Sequence, residues 1–243
     1  MKRIRSEGET DLQHRKKNHE IMNYEILTSA QKPKIKRLLQ LQQKSSERRK
    51  AGLFVVEGIR EVERCVEKGY EIDTLFCLTN LSQKEGSINV SKIIEKNKNI
   101  KLFEVSPAIY EKIAYRGSTE GVIAEVKTKD KTFQDLKLSK NPLIVVLESV
   151  EKPGNLGAIL RSADAAGADA LIVCDPLTDL YNPNLIRNST GAIFSVPCVA
   201  CTSEECIKYL KENNIQILTA QLQDSELYYD TDMKRGTAIV MGT

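Results

Sequence analysis

The spacing of apolar residues changes repeatedly along the chain, and this pattern predicts an α/β protein. Short apolar runs that fit strands are separated by stretches in which apolar residues recur every three or four positions, as on one face of a helix. From Lys32 to Gly52 the pattern predicts a single basic amphipathic helix that ends at the glycine. Beyond it, the predicted strands are 53–58, 72–79, 101–105 and 121–126, and the predicted helices are 57–69, 91–97 and 106–114.

The second half of the chain shows a cleaner alternation of the same kind. Residues 127–141 are rich in lysine and only weakly periodic, and Pro142 follows them, which is typical of a linker. After this segment, apolar runs are separated by helical stretches, a pattern that fits a parallel sheet buried on both faces. The strands predicted here are 143–148, 170–175, 194–199, 215–220 and 237–242.

The length of 243 residues is sufficient for two domains. We divide the chain into an N-terminal extension (1–30), a front α/β domain (31–127), a linker (128–141) and a second α/β domain (142–243). The sequence contains no apolar run of about 18 residues, and its first residues do not fit a secretory signal. We therefore expect a cytoplasmic protein without a membrane partner.

Positive charge is concentrated at the start of the chain. Residues 1–50 contain 14 Lys and Arg against 6 Asp and Glu, so the net charge of +3 combines +8 in this segment with −5 in the remainder. A basic block of this kind is typical of proteins that bind polyanions, because cations near phosphates release counterions. For residues 1–21 alone we favour a solvated, partly disordered tail.

The numbers of histidines and cysteines limit the possible chemistry. His14 and His19 both lie in the leading segment, so the predicted domains lack the imidazole of Ser-His-Asp, Cys-His and most catalytic zinc sites. Most of the cysteines lie in apolar runs, where we expect buried free thiols rather than disulfides or a metal site. The six cysteines are Cys65, Cys77, Cys174, Cys198, Cys201 and Cys206.

Residues 143–175 predict a strand, a helix and a second strand. Asn155 is predicted as the N-cap of the helix, and Gly167 as the left-handed residue that follows it. The loop K-P-G-N-L-G matches neither the dinucleotide fingerprint nor the P-loop, which argues against a nucleotide-dependent oxidoreductase. Asp175, at the end of the second strand, is the strongest feature in favour of that alternative.

Arg161 has two open interpretations within this helix. At 100° per residue it falls on the face opposite the predicted apolar stripe. It could form an exposed i,i+3 pair with Asp164. It could instead hold phosphate or ribose oxygens beside the helix N-terminus. The stripe is Ile159, Ala163 and Ala166, and the opposite face is Gly157, Arg161 and Asp164.

A second stretch, from Asp179 to Val199, predicts a short helix followed by a strand. Asn182 and Pro183 fit the N-cap and N1 positions, and Gly191 can terminate the helix. Taken alone, Arg187 in the last turn complements the helix dipole, and Ser189 beside it is a polar filler.

These two stretches together resemble a known family. The segment N-L-G-A-I-L-R-S at 155–162 is followed about twenty residues later by N-P-x-x-I-R-x-S-x-G-A-x-F-x-V-P at 182–197. The pair resembles the first two motifs of the SpoU-type (TrmH-like) RNA ribose 2'-O-methyltransferases, which belong to the SPOUT class. The front segments F-V-V-E-G-I-R-E-V-E-R-C-V-E-K-G, I-D-T-L-F-C-L-T and T-E-G-V-I-A-E-V resemble the L30e-like substrate-binding domain of many members.

The resemblance implies a fold, a reaction and partners. The fold is an L30e-like α/β domain followed by a mostly parallel-sheet SPOUT domain that ends in a trefoil knot. The reaction transfers a methyl group from S-adenosylmethionine to a ribose 2'-hydroxyl of structured rRNA or tRNA, and the enzyme acts as a homodimer. Because a 2'-hydroxyl is a poor nucleophile, a chain without a histidine in its domains must rely on cationic stabilisation of the developing alkoxide and on positioning.

The resemblance also suggests residues for each role. We expect no metal ligands. The candidates for catalysis are Asn155, Arg161 and Ser189, those for the cofactor are Leu218, Thr219, Ala220, Gly242 and Thr243, and those for RNA are Arg187, Arg60, Arg116, Lys36 and Arg37. The cofactor candidates stand at predicted strand ends, where open parallel sheets bind ligands.

The family's third motif is incomplete in this sequence. It begins with a strand and G-x-E, of which only Gly242 and Thr243 are present, so the part of the chain that completes the knot is expected to be missing. An alternative function follows from this departure, namely an RNA-binding module of the same fold without catalytic activity.

Overall fold

The computed structural model describes residues 25–79, 87–97, 99–115, 120–223 and 225–242, and these contain two five-stranded sheets. The strands are β1 (Glu25–Leu27), β2 (Leu53–Glu57), β3 (Ile72–Leu78), β4 (Lys101–Val105), β5 (Val122–Lys127), β6 (Leu143–Glu148), β7 (Ala170–Cys174), β8 (Cys198–Cys201), β9 (Gln216–Thr219) and β10 (Thr237–Met241). The helices are α1 (Pro33–Gln43), α2 (Ser45–Ala51), α3 (Ile59–Glu67), α4 (Ser87–Lys96), α5 (Pro107–Ile113), α6 (Pro153–Ala165), α7 (Pro183–Ser189), α8 (Ala192–Ser195) and α9 (Ser203–Glu212).

The front sheet has the strand order β1-β4-β3-β5-β2 and is mixed. Strands β1, β4 and β3 run parallel, and β5 pairs antiparallel with both β3 and β2. Helices α1 and α5 bury Ile35, Leu38 and Ile109 against one face. On the opposite face, the cluster that contains Val62 of α3 continues into the second domain.

The start of the front domain differs from the sequence prediction in two places. Strand β1 lies inside the predicted N-terminal extension, where three residues are too few to show a period. Instead of one helix from Lys32 to Gly52, two helices meet at Lys44, whose backbone is extended. Gly52 ends the second helix in the left-handed conformation, which confirms that part of the prediction. Most of the predicted extension, including His14 and His19, lies outside the described residues.

The second sheet is entirely parallel, as predicted, with the order β8-β7-β6-β10-β9. Four of its five strands lie at the predicted positions to within a residue or two. The prediction of a strand at 194–199 was wrong, because Ile193 and Phe194 lie in the short helix α8 and the strand begins at Cys198. The periodicity of a short apolar run does not distinguish a buried helix from a buried strand, which explains the wrong prediction.

The segment predicted as a linker packs along the second domain. Lys131 forms a parallel bridge with Val199 at the edge of the sheet. A short 3-10 helix (Phe133–Asp135) follows, with Thr132 and Asp135 forming a reciprocal capping box. Phe133 stacks on Tyr209 of α9 with ring centroids 4.2 Å apart. The segment therefore adds to the hydrophobic core on that face of the sheet.

The two domains share one hydrophobic cluster. Phe54 of the front sheet stacks on Tyr181 with ring centroids 4.4 Å apart, and Tyr70 meets Phe194 edge to face at 5.3 Å. The position of each domain is therefore set by close packing as well as by the covalent connection. Within the described residues, none of the helices has both the length and the apolar character needed to span a bilayer.

Candidate active site at the carboxyl edge of the parallel sheet

The order of the second sheet has a switch point at its centre, between β6 and β10. From β6 the chain runs through β7 to β8 on one side, and it then returns to β9 and β10 on the other. The strand order therefore reverses between β6 and β10, and ligands of open parallel sheets bind beyond the carboxyl ends of strands at such a point. Glu148 ends β6, and Gly242 follows the end of β10.

Four of the predicted cofactor residues come together at this edge. Leu218 and Thr219 pair with Ile239 and Val240 in the parallel register of β9 and β10, and the Ala220 amide donates to the Val240 carbonyl at 2.9 Å. Thr219, Ala220 and Gly242 are exposed, and Leu218 is half-buried. Thr243 lies outside the described residues.

This edge fits a ligand that is held largely by backbone groups. A Cβ atom at Gly242 would lie 3.4 Å from Oε2 of Glu148, so the glycine keeps the space beside that carboxylate open. Exposed main chain follows β9, and the neighbouring side chains of Thr219 and Ala220 are small. An adenosine group can therefore approach the amide and carbonyl groups of the strand ends, and the residues present fit S-adenosylmethionine.

Helix α6 begins three residues earlier than predicted. Its N-cap is Lys152, and Pro153 occupies the first helical position, where a proline is favourable because its φ is already helical. Asn155 is therefore an exposed residue of the first turn and not the cap, which corrects the prediction. Gly167 follows the end of the helix with a φ of 67°, as predicted.

The faces of α6 were predicted only in part. Its buried residues are Leu156, Gly157, Leu160 and Ala163, whereas Ile159 is half-buried and Ala166 is exposed. Gly157 was expected on the open face, but it lies against α7. A Cβ there would come within 2.7 Å of the Asn188 Cβ and 2.9 Å of the Leu185 carbonyl oxygen. Helix α7 therefore covers the Gly157 side of α6, and the periodicity of the α6 sequence does not reveal this contact.

Arg161 lies on the open side of α6, which confirms its predicted orientation. Its side chain is exposed, and Nη1 donates to the carbonyl oxygen of Asn188 in the last turn of α7. No ion pair with Asp164 is present among the described residues. Asn188 also faces the first turn of α6, because its Nδ2 would lie 3.7 Å from a Cβ at Gly154. Asn188 thus connects the guanidinium to the start of the helix.

Helix α7 has the termini that the sequence predicts. The Asn182 side chain accepts a hydrogen bond from the Asn184 amide at 2.9 Å, and Pro183 follows at the first position. Thr190 and Gly191 both adopt positive φ after the helix. Ser189 is fully buried, and its hydroxyl donates to the Ile186 carbonyl at 2.7 Å. In the single chain, Ser189 therefore supports the end of α7 and does not reach an open surface.

Arg187 connects the two domains. Its Nη2 contacts Oε2 of Glu57, at the end of β2, at 2.8 Å, and its guanidinium lies 3.7 Å from the ring centroid of Tyr115. Both partners belong to the front domain, and the sequence patterns single out neither of them. This contact gives Arg187 an interdomain role that its position in the second motif did not suggest.

The predicted RNA contacts of the front domain differ in availability. Lys36 and Arg60 are exposed, and Arg60 lies 3.7 Å from Glu120. The guanidinium of Arg37 instead forms ion pairs with Asp73 at 3.1 Å and with the buried Glu125 at 2.8 Å. These pairs make Arg37 part of the domain's structure. Arg116 lies outside the described residues.

Two family models match consecutive parts of the chain. The model of the SpoU rRNA Methylase family matches residues 142–243, and the model of the MRM3-like substrate binding domain matches residues 32–124. A crystal structure of an RNA 2'-O ribose methyltransferase is 33% identical, covers 89% of this chain and 81% of its own, and superposes with a TM-score of 0.73. The chain belongs to the SpoU rRNA methylase family.

Other relatives show how far this similarity extends. The SpoU methyltransferase AviRb of Streptomyces viridochromogenes, solved with AdoMet, is 25% identical over 87% of this chain and 81% of its own, with a TM-score of 0.77. A 23S rRNA (uridine(2479)-2'-O)-methyltransferase of the same organism is 30% identical over 65% of this chain, which spans 54% of that relative. RlmB of Blochmanniella floridana, a 23S rRNA (guanosine-2'-O-)-methyltransferase, is 29% identical over 78% of this chain and 77% of its own length.

Proposed function

We propose that this SpoU protein transfers a methyl group from S-adenosylmethionine to a ribose 2'-hydroxyl of structured RNA, with rRNA as the first candidate. Relatives that match 65% and 78% of this chain carry rRNA 2'-O-methyltransferase names, and a similar structure contains AdoMet. The strand ends of β6, β9 and β10 would hold the cofactor, and the open face of α6 would meet the ribose.

The exposed guanidinium of Arg161 is the observation that carries the proposal. One of its N–H groups is fixed by the Asn188 carbonyl, and the others have no protein partner among the described residues. An arginine keeps its positive charge throughout the physiological pH range and presents several donors in a rigid plane. A group of this kind can stabilise the negative charge that develops on a ribose oxygen as its proton leaves.

The other candidate catalytic residues, Asn155 and Ser189, support the Arg161 guanidinium in this proposal. When bound, S-adenosylmethionine supplies an electrophilic methyl group. Exposed Asn155, in the first turn of α6, offers an amide that can orient a ribose or phosphate oxygen. The buried hydroxyl of Ser189 holds the end of α7, and α7 in turn provides the Asn188 carbonyl that orients Arg161. Ser189 therefore acts on the reaction as a positioning residue.

The front domain supplies the RNA-binding surface in this proposal. Exposed Lys36 and Arg60 provide phosphate contacts, which would make RNA affinity depend steeply on salt. We also propose a cytoplasmic homodimer. The loop between β9 and β10 supports the dimer, because Leu222, Tyr228 and Tyr229 are large, apolar or aromatic, and exposed there.

The proposal is tested by methyl transfer to rRNA that has been transcribed in vitro and is therefore unmodified. The chain is incubated with radiolabelled S-adenosylmethionine, and the nucleosides are separated after digestion. We expect label in a 2'-O-methyl nucleoside. Arg161→Ala should reduce the initial rate by about 10²- to 10³-fold, as the loss of a donor to a developing oxyanion does in other enzymes.

Arg235→Ala is the matched control, since Arg235 is an exposed arginine of the same domain that precedes β10 at the opposite edge of the sheet. It should methylate RNA at the wild-type rate. Equal rates for wild type and Arg161→Ala would reject the role of Arg161. RNA retention by the wild type without any methylation would instead favour a binding module.

A further inference from the structure

Three cysteines of the second domain converge from three different elements. Cys174 is the last residue of β7, Cys201 is the last residue of β8, and Cys206 lies in α9. Their Sγ atoms all lie within 4.8 Å of one another. The parallel register pairs Cys174 directly with Cys201, and the turn from β8 into α9 returns Cys206 to the same point.

The other cysteines do not share this arrangement. Cys65 and Cys77 are buried in the front domain. Cys198, on the same strand as Cys201, contacts the Val196 carbonyl with its Sγ at 3.3 Å. The three converging thiols therefore form a distinct group, whereas the other three cysteines are isolated buried thiols of the kind expected from the sequence.

We propose that Cys174, Cys201 and Cys206 bind one thiophilic metal ion, Zn²⁺ or Cu⁺, through three sulfur ligands. Zn–S bonds of about 2.3 Å place tetrahedral sulfur ligands about 3.8 Å apart, so the cluster needs to contract by only about 1 Å at its widest separation. Thiolates select these ions, and three sulfur ligands suit Cu⁺ directly or Zn²⁺ with water as a fourth ligand. Cys201 is only half-buried, so a metal ion can reach the cluster from solvent on its side.

The structure around the cluster holds the ligands in place. The Asp175 carboxylate, next to Cys174, accepts hydrogen bonds from the Ser203 amide at 3.1 Å and the Ser203 hydroxyl at 2.6 Å, which anchors the start of α9 to the end of β7. Metal binding would tie β7, β8 and α9 together at one point. The site lies at the carboxyl ends of β7 and β8, on the other side of β6 from β9 and β10, and Cys174 is the register partner of Glu148 at the end of β6.

The test uses the full chain, reduced and kept free of oxygen. Cd²⁺ is titrated in as a spectroscopic probe of thiolate binding, and Zn²⁺ and Cu⁺ are then measured separately by competition with a chromophoric chelator for each ion. We expect one equivalent of metal, a sulfur-to-cadmium charge-transfer band, and release of protons on binding. The two competition curves give the affinity of the site for each ion.

Cys201→Ser and Cys206→Ser should each weaken binding by more than about tenfold, the lower range for loss of a supporting residue at a metal site. Cys198→Ala removes a thiol from the same strand and should bind one equivalent like the wild type. Absence of the band in the wild type would overturn the proposal, whatever the variants do. So would metal-independent formation of a Cys174–Cys206 disulfide in air by a chain that takes up no metal.

Discussion

A buried carboxylate in the front domain shows how single residues depend on their partners. Glu125 is 2% exposed, and its Oε2 lies 2.8 Å from Nη2 of Arg37. Within the described residues, neither Oε1 of Glu125 nor Nε of Arg37 has a hydrogen-bond partner. Burial raises the pKa of Glu125, and the attraction of Arg37 only partly offsets it. The pairing is therefore a source of pH dependence more than of net stability.

Glu125→Gln should change how stability depends on pH. Because the pKa of Glu125 is higher in the folded than in the unfolded chain, its stabilising contribution is complete below about pH 4.5 and is lost as the pH rises through the raised value. The free energy of unfolding of the variant, relative to wild type, should therefore increase over this range. Urea unfolding between pH 4.5 and 8 measures the difference.

Glu71→Gln serves as the control, since Glu71 is exposed and its hydrogen bond with Lys127 lowers its pKa. Its contribution is present above about pH 4.5 and is lost as the pH falls, so its small effect has the opposite sign. Parallel curves for wild type and Glu125→Gln would show that the buried carboxylate does not titrate differently on folding.

The pair α6 and α7 is the element on which the proposed site depends. Gly157 allows the two helices to approach so closely that the Asn188 carbonyl reaches Arg161. The first two sequence motifs therefore meet across a single helix contact. Loss of that contact would disturb the guanidinium without any change at Arg161 itself.

Gly157→Ala should destabilise the fold by about 1–3 kcal/mol, because the new methyl group overlaps Asn188 and the Leu185 carbonyl. The methylation rate should fall with it, since α7 must shift. Gly154→Ala in the same helix is the matched control, as its Cβ would meet Asn188 only at 3.7 Å. Chemical denaturation measures both variants. Equal stability of the two would show that α7 can adjust at no cost.

The sequence predicts the elements better than their contacts. Apolar runs locate most strands, and periodicity correctly places Arg161 on an open face, because both depend on local burial. The close approach at Gly157 and the cluster at Cys174 could not be predicted in this way, because they depend on which element packs beside them. For the same reason, nothing local shows that Arg187 binds Glu57 across the domain boundary.

At the scale of the whole molecule, the two domains are joined by polar as well as aromatic contacts. Arg48 is 4% exposed, its Nε donates to Oδ2 of Asp179 at 2.8 Å, and its Nη1 donates to the Leu41 carbonyl at 2.6 Å. Asp179 in turn accepts a hydrogen bond from the Tyr181 amide at 2.7 Å, which places that ring against Phe54. The ion pair and the aromatic stack therefore support each other.

Arg48→Met should lower the free energy of unfolding by about 3 kcal/mol, because it leaves Asp179 partly buried without its cation. Calorimetry should show a lower melting temperature and two separable transitions where the wild type shows one. Adding Asp179→Asn should recover part of the loss, since the unpaired charge is then gone. A single unchanged transition for Arg48→Met would show that the aromatic packing alone couples the domains.

The shared cluster around Phe54, Tyr181 and Phe194 holds the two domains at a set distance and orientation. This packing opposes movement of the front domain relative to the second domain. Under the proposed function, the front domain binds one part of the RNA. The nucleotide that receives the methyl group is therefore the one that lies at the matching distance from that part. The choice of nucleotide then depends less on its base than on the three-dimensional structure of the RNA between the bound part and the methylated nucleotide.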